Sequence, residues 1–268
     1  MREGRKKARV QSGTIHVYIR GNSRHNVFYD DLERIVFLKH CQRAAETYNT
    51  IITEFAMMDN HFHMQIETEN LSLFVKSLLQ GYVQWYNRKN GLSDKLFKSP
   101  FNSSSKYSTE LIIENKLYIL QNPLAEGMCE YPSDYKWSSY KFHFGQKTPL
   151  SKYLSVDTSY TDNYFKSLGA LNNAIIEKSK RTKKSSVNKN DNLDRITDAE
   201  LAEYIREIIL ADNIFQLNKD EITMLIKRLY KETNASFRQI SSLTHENYDY
   251  VRKICGRLDN IQVVTASL

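Results

Sequence analysis

Apolar and polar positions alternate over residues 14–20, which predicts the first strand. Ile15, Val17 and Ile19 occupy every second position, the period-two pattern of a strand with one buried face. A Gly-Asn pair follows and provides a turn signal. The opposite side of this predicted strand carries Thr14, His16, Tyr18 and Arg20.

A helix and two more extended segments follow this strand. Asp30 or Asp31 can cap the helix, in which apolar residues recur near the helical period. Residues 51–58 and 61–67 are predicted as two further strands joined by a short turn. A strand, a helix and a hairpin describe part of an α+β sandwich, with an antiparallel sheet and helices on one face.

Two more helices are predicted before residue 125. The first spans residues 71–88 and is stopped near Gly91, and residues 92–107 have the Ser- and Lys-rich character of a loop. Ser108 caps the second helix. Pro123 is expected to end it, because the residue before a proline disfavours the α region. The apolar side of this last helix is assigned to Leu111, Ile112 and Ile119.

The remainder of the chain has a different pattern. Residues 178–192 are polar, basic and without periodicity, which predicts a linker. Helices are predicted over 196–210 and 218–231, and residues 236–258 resemble a helix-turn-helix with 246–257 as its recognition helix. We therefore expect an N-terminal domain, an extension with the basic linker, and a small all-α domain, with bounds at 1–150, 151–193 and 194–268.

The predicted recognition helix carries the candidate DNA contacts of the C-terminal domain. These residues are Tyr248, Tyr250, Arg252, Lys253 and Arg257. Contact with duplex DNA is favoured, because a tethered second binding module raises the effective concentration of the first. A helical bundle that contacts other proteins is the alternative.

Charge and composition narrow the class of protein. The net charge is +7 and the pI about 9.1, which favours polyanionic partners, because phosphate binding releases counterions. No stretch approaches the roughly 20 apolar residues that span a membrane, and no apolar segment follows the basic N-terminus. We expect a cytoplasmic protein. Three separated cysteines form no CxxC pair, so buried thiols are expected.

Two histidines stand out in the third predicted strand. His61 and His63 are two residues apart and point to the same face, together with Gln65 and Glu67, while Phe62 points to the core. We expect this polar face to be open to solvent. Two neutral imidazoles at this spacing can share a divalent ion. Two surface histidines without a ligand are the alternative, since this tripeptide is common by chance.

A polar stripe on the predicted helix after Ser108 gives a second candidate. Asn115, Tyr118 and Asn122 lie at i, i+3 and i+7. A tyrosine hydroxyl can attack phosphorus and hold a nucleic acid strand covalently. Its pKa is near 10, so it needs a metal or a base. The amide oxygen of Asn122 could be a third metal ligand. A half-buried tyrosine with a C-capping asparagine is the alternative.

These segments together resemble a known family. Residues 58–64 resemble the histidine-hydrophobic-histidine motif of single-tyrosine HUH transposases, in particular the REP-associated tyrosine transposases. Residues 118–124 resemble their tyrosine helix and its closing Asn-Pro. The similarity extends over roughly residues 10–145 with its motifs in order, which is more specific than an isolated histidine pair. Further similar segments lie at 15–22, 86–89, 96–98 and 131–140.

The resemblance implies a function and a fold. His61 and His63, with Asn122, would hold Mg²⁺ or Mn²⁺, and Tyr118 would attack single-stranded DNA at hairpin-bearing ends. A 5′-phosphotyrosine and a free 3′-hydroxyl would result, and another 3′-hydroxyl would reverse the step without ATP. The implied fold is a ferredoxin-like α+β sandwich. Relatives act as monomers, or as homodimers that exchange the tyrosine helix.

The candidate DNA contacts of the N-terminal domain are Arg20 and Lys98. Relatives commonly have an arginine in the loop that here contains Lys98, and another after the Asn-Pro pair, where this chain reads Leu124-Ala125-Glu126. These differences remove positive charge from the expected DNA path.

Three hypotheses follow: an active or domesticated transposase, a DNA-binding protein without catalysis, and a metal-dependent phosphoesterase without a covalent step. The intact His61, His63, Tyr118 and Asn122 favour the first.

Overall fold

The computed structural model describes residues 11–22, 25–93, 95–187, 196, 198–209 and 214–265. Within these ranges it contains four strands and nine α-helices, joined in part by short 3-10 turns. In chain order they are β1 (Gly13–Arg20), α1 (Asp31–Thr47), β2 (Ile51–Met57), β3 (His61–Thr68), α2 (Leu71–Asn90), β4 (Asn102–Ser105), α3 (Thr109–Ala125), α4 (Ser159–Phe165), α5 (Leu168–Val187), α6 (Asp198–Ile208), α7 (Lys219–Glu232), α8 (Phe237–Thr244) and α9 (Tyr248–Thr265).

The first six elements form a ferredoxin-like unit, as predicted. Their order is βαββαβ, and the four strands form one antiparallel sheet in the order β2-β3-β1-β4. The strand β4 lies in the segment that the sequence predicts as a loop. Its sequence, Asn-Ser-Ser-Ser, has no apolar alternation, and its ladder is formed with β1 alone among the described strands.

One face of the sheet forms the main apolar core with α1 and α2. The alternating residues of β1 and β3 that were predicted to be apolar are fully buried there. Asp30 caps α1 by accepting a hydrogen bond from the Glu33 amide at 2.7 Å. Gly91 ends α2 with a φ of 64°, a conformation that glycine adopts without steric cost. The predicted start of α1 and end of α2 are thus confirmed.

The other face of the sheet is covered by α3, so the expectation of an open polar face is wrong. The Gln65 side chain is fully buried and donates to Asn115 Oδ1 at 2.9 Å and to the Ile112 carbonyl at 3.1 Å. From α3, Lys116 Nζ donates to the Thr53 carbonyl at 3.1 Å. Polar residues are buried here because the helix provides their hydrogen-bond partners.

Helix α3 does not end at Pro123 but continues to Ala125. A proline lacks an amide hydrogen, yet Leu124 in this last turn packs in one apolar cluster with Leu171 and Ile175 of α5, a contact that local sequence does not reveal. Its apolar side is also different from the prediction, because Leu111 is exposed. The apolar side of α3 instead contributes to a small buried cluster, which consists of Leu120, Leu124, Tyr140, Leu171 and Ile175.

The predicted linker is largely helical. Residues 178–187 are the last part of α5, whose earlier turns are anchored by Leu171 and Ile175. Lysine, arginine and serine can continue a helix that packing has already started. Ser179 is buried, and Lys178 forms an ion pair with Glu114 of α3. Residues 188–192 lie outside the described residues.

The C-terminal helices surround a second apolar core. It includes Leu201, Ile226, Leu243 and Val251 from α6, α7, α8 and α9. Three residues join α8 to α9, beginning with His245 at a φ of 56°, so the predicted helix-turn-helix connection is present. The domain bounds at 150 and 193 stay a prediction. Among the described residues, no helix is long and apolar enough to cross a membrane.

Candidate active site

Pairing of β1 with β3 assembles a cluster of imidazoles on the sheet face beneath α3. Tyr18 is opposite His63, and Arg20 is opposite His61. Residues directly opposite in an antiparallel pair share one face, so the polar side of β1 lies beside the histidine pair. His16 lies one pair further along the same face. The alternation that predicted β1 already placed His16 on this side, but no sequence pattern pairs it with His63.

Helix α3 adds Tyr118 and Asn122 to this cluster, within one chain. The Tyr118 ring makes edge contacts with His63 at 5.4 Å and with His16 at 5.9 Å between ring centroids. Tyr118 is 36% exposed, so it can be reached from solvent, whereas both predicted metal ligands on β3 are nearly buried. A pocket of about 460 Å³ joins these groups. Its lining includes His16, Tyr18, Arg20, His61, His63, Tyr118, Asn122 and Glu126.

His61 is held in one orientation by its neighbour. Its Nδ1 lies 2.6 Å from Asn60 Oδ1, which can only accept, so Nδ1 carries the hydrogen and donates it. The opposite nitrogen, Nε2, then keeps its lone pair and lies 3.8 Å from Glu126 Oε1. Burial and the nearby charge of Arg20 lower the pKa of His61 to about 3, so the ring is neutral at physiological pH.

His63 has a partner in β1 that its own motif does not reveal. Its Nδ1 lies 3.0 Å from His16 Nε2, and the two rings stack with centroids 5.2 Å apart. One nitrogen must donate and the other accept, because both imidazoles are neutral. Burial lowers the pKa of His16 to about 4 and that of His63 well below its usual value. If His63 is the donor, its Nε2 keeps a lone pair for a ligand.

The surroundings of the Tyr118 hydroxyl disfavour its ionised form. Burial raises the pKa of this hydroxyl, and the negative charge of Glu126 raises it further. Asn122 donates from Nδ2 to the Tyr118 carbonyl at 2.7 Å, which leaves its amide oxygen as an acceptor. Asn122 lies within α3, whose C-cap is Glu126, so it is not the C-capping residue of the alternative interpretation.

The possible metal ligands in the pocket are two histidines and one asparagine, so only part of the set is ionisable. No group of three or more His, Cys, Asp or Glu side chains is arranged to hold a metal in the described part of the chain. His61 and His63 are neutral, as metal binding requires, and the Asn122 amide oxygen is a neutral third donor in the same pocket. Two imidazoles and one amide oxygen leave further positions for water and phosphate oxygens.

The predicted DNA contacts have different positions. Arg20 lines the pocket, and Lys98 is exposed beside it, with its amide donating to the Arg20 carbonyl at 2.8 Å. Arg252 and Lys253 are exposed on α9. The side chain of Arg257 lies outside the described residues.

The Tyr250 hydroxyl already has a partner in α7, and the contact of Tyr250 with DNA stays a prediction. The hydroxyl lies 2.8 Å from the Thr223 hydroxyl, against α7.

Comparison with known proteins finds a family match for the part of the chain that contains most of this pocket. Residues 9–121 match the family model described as "Transposase IS200 like". This segment, less than half of the chain, is similar to the IS200-like transposases. No curated protein matches the chain significantly. A solved REP-associated tyrosine transposase bound to a REP hairpin is similar with a TM-score of 0.45 and 15% identity, over 59% of this chain and 93% of that one.

The segment that is similar to IS200-like transposases includes most of the candidate site. The matched segment covers His16, both histidines of β3 and Tyr118, and it ends one residue before Asn122. The chain as a whole is basic, and Arg20 is a cationic residue of the pocket lining. Glu126 lies just beyond the match, and its carboxylate places a negative charge near His61, which its position after the Asn-Pro pair did not predict.

Proposed function

We propose that this transposase cleaves and rejoins single-stranded DNA through a covalent bond to Tyr118. One observation carries the proposal: two separate elements, β3 and α3, bring two neutral imidazoles and a reachable tyrosine into the same pocket. The imidazoles are those of His61 and His63. The Tyr118 ring contacts two imidazoles, those of His16 and His63, and lines the pocket.

The reaction that fits these groups is a transesterification. Tyr118 Oη attacks the scissile phosphorus, and a bond from phosphorus to Oη forms while the bond to the 3′ oxygen breaks. The phenolic proton is released to water, and the leaving 3′ oxygen takes up a proton. The products are a 5′-phosphotyrosine and a 3′-hydroxyl. A second 3′-hydroxyl reverses the step, and the phosphodiester energy is retained in between.

Residues of the chain prepare this step in three ways. Asn60 and His16 orient the imidazoles of β3, and α3 fixes Tyr118 above them. Arg20 lies at the rim, where its guanidinium can pair with a phosphate. A Mg²⁺ or Mn²⁺ ion held by His61, His63 and Asn122 would polarise the phosphate and favour the phenolate, whose formation burial opposes.

The motif resemblance extends the proposal to the substrate and its setting. We take the substrate to be single-stranded DNA with hairpin-bearing ends, processed in the bacterial cytoplasm during DNA transposition. The enzyme acts as a monomer or a homodimer.

The test is adduct formation on a denaturing gel. The full chain is incubated with Mn²⁺ and labelled hairpin-bearing single-stranded DNA, and a slow-migrating protein–DNA band is expected. Tyr118→Phe should abolish the band, and EDTA should abolish it too. Tyr107→Phe is the matched control, because Tyr107 lies just before α3, is 85% exposed and does not line the pocket. Its band should persist.

The outcomes separate the competing hypotheses. Cleavage that persists in Tyr118→Phe contradicts the covalent mechanism and supports a phosphoesterase. DNA binding without cleavage of any hairpin supports a binding protein that has lost catalysis.

A further inference from the structure

A second groove begins where the catalytic pocket ends, between the transposase domain and the C-terminal helices. It encloses about 780 Å³, and Arg20 lines both this groove and the pocket that contains Tyr118. Lys98 contributes to the wall on the transposase side. Arg238 of α8 and Tyr248 of α9 contribute to the opposite wall. A ligand in the pocket therefore has a continuous path toward the C-terminal domain.

The charge of the groove suits a phosphate backbone. Its described lining contains the cations Arg20, Lys98 and Arg238 but a single acidic side chain, that of Asp249. Lys98 and Arg238 are exposed, and neither takes part in the ion pairs found among the described residues. Helix α9 begins at Tyr248, so its N-terminal amides add partial positive charge at the same place. Uncompensated cations along a concave surface attract polyanions.

The two walls are held together by direct contacts. The rings of His25 and His245 meet edge to face with centroids 4.8 Å apart, across the domain boundary. Arg206 Nη1 of α6 donates to the Tyr29 carbonyl at 2.9 Å, and the Tyr29 ring contacts Phe215. These contacts fix the distance between the walls, so the groove is prearranged for its ligand rather than formed by it.

The position of α9 decides which form of DNA fits best. In helix-turn-helix proteins the N-terminal residues of the second helix reach base edges in a duplex major groove. Here that end of α9 faces the transposase domain across the groove. Nucleic acid that contacts Tyr248 there also passes Lys98 and Arg20, on the way to the pocket. Tyr248 is 41% exposed and offers a stacking surface for an unpaired base.

We propose that this groove binds the single DNA strand that continues from the catalytic pocket. Arg20, Lys98 and Arg238 contact its phosphates, and Tyr248 stacks on a base. The C-terminal domain is then part of the substrate site, and it extends the length of strand that the enzyme holds. This inference rests on the proposed function for its substrate, single-stranded DNA.

Binding without cleavage tests the groove separately from catalysis. The full chain with Tyr118→Phe is titrated into fluorescein-labelled dT30, and anisotropy is measured at several NaCl concentrations. Adding Arg238→Ala should weaken binding about 5- to 10-fold and reduce the slope of log K against log salt by about 0.7, the value for one phosphate contact on a single strand. Lys227→Ala is the control, because Lys227 is exposed on α7 outside the groove.

Equal dT30 affinity for Arg238→Ala and Lys227→Ala would overturn the proposal. So would a loss that is confined to a 30-base-pair duplex, which would instead make the C-terminal domain a duplex reader. Absence of an adduct with unaltered enzyme is a separate result, and it counts against the proposed function alone.

Photo-crosslinking provides a measurement that does not depend on a substitution in the groove. With 5-iodouracil in place of thymine, a crosslinked peptide that contains Tyr248 is expected. Crosslinks found only at tyrosines outside the groove, such as the exposed Tyr164, would contradict the proposal.

Discussion

At the scale of single residues, the pocket depends on side chains that hold other side chains in place. The two histidines of β3 and Tyr118 were recognisable from sequence, because their motifs are local. His16 and Glu126 were not, because their roles arise from strand pairing and from the continuation of α3 past Pro123. Spacing along the chain shows which residues share a face, but it does not show which face meets another element.

His16 is expected to act as a positioning residue for His63. Replacing it with alanine removes the partner at 3.0 Å and frees the His63 ring to rotate. We predict that His16→Ala weakens Mn²⁺ binding, measured calorimetrically without DNA, by about 10-fold, the lower end of effects seen for residues that orient metal ligands. His16→Gln, which can still accept a hydrogen bond, should recover part of the loss. An unchanged Mn²⁺ titration for His16→Ala would contradict this role.

Glu126 is expected to set the pH dependence of the reaction. Burial is the larger cause of the raised pKa of Tyr118, and the Glu126 charge adds to it, so removing that charge lowers the pKa. More phenolate is then present at a given pH. We predict that Glu126→Gln moves the rising limb of the pH–rate profile to lower pH at saturating Mn²⁺ and DNA.

The matched control for this change is Glu110→Gln, which makes the same charge change at an exposed position of α3. Its profile should not move. An identical profile for Glu126→Gln, or a shift to higher pH, would refute the electrostatic role of Glu126.

At the scale of elements, α3 is the part that turns a sheet with two histidines into a candidate active site. Helix α3 is anchored on the sheet by Lys116, which is buried and whose Nζ lies 3.8 Å from Glu54 Oε2. Burial alone would raise the pKa of Glu54, but His143 and Lys116 hold it below its usual value. His143 connects the Glu54 carboxylate to Asp162, and the distance from His143 Nδ1 to Asp162 Oδ1 is 2.6 Å. The helix was predicted from its own sequence, but its docking was not, because its hydrogen-bond partners on the sheet are 47 to 63 residues away.

Removing the Lys116 charge should destabilise the domain strongly. Lys116→Met leaves Glu54 fully buried with one charged partner fewer, and breaking a buried ion pair in this way costs about 3 kcal/mol. Urea denaturation measures the difference in the free energy of unfolding. The control is Lys178→Met, which breaks the more exposed pair between α5 and Glu114 and should cost less than about 1 kcal/mol. Equal losses for the two variants would argue against the anchoring role.

At the scale of the whole molecule, the sequence predicted the ferredoxin-like unit and the helix-turn-helix connection, but not how they are joined. The β1, β3 and α1 patterns were strong because each has a continuous apolar face. The strand β4 and the last turns of α5 were missed, because a serine-rich edge strand and a lysine-rich helix owe their structure to neighbours. The groove that Arg20 shares with the candidate active site could not be foreseen, since its walls come from segments that are far apart in the chain.

The central claim is that Tyr118 becomes bonded to DNA, and identification of the modified residue tests it most directly. The protein–DNA adduct is formed with Mn²⁺ and hairpin-bearing single-stranded DNA, the DNA is trimmed by nuclease, and the peptides are sequenced by mass spectrometry. We predict a nucleotide phosphate on the peptide that contains Tyr118, bonded to that tyrosine through the 5′ phosphate. A nucleotide on any other residue, or cleaved DNA with no modified peptide, would contradict the account.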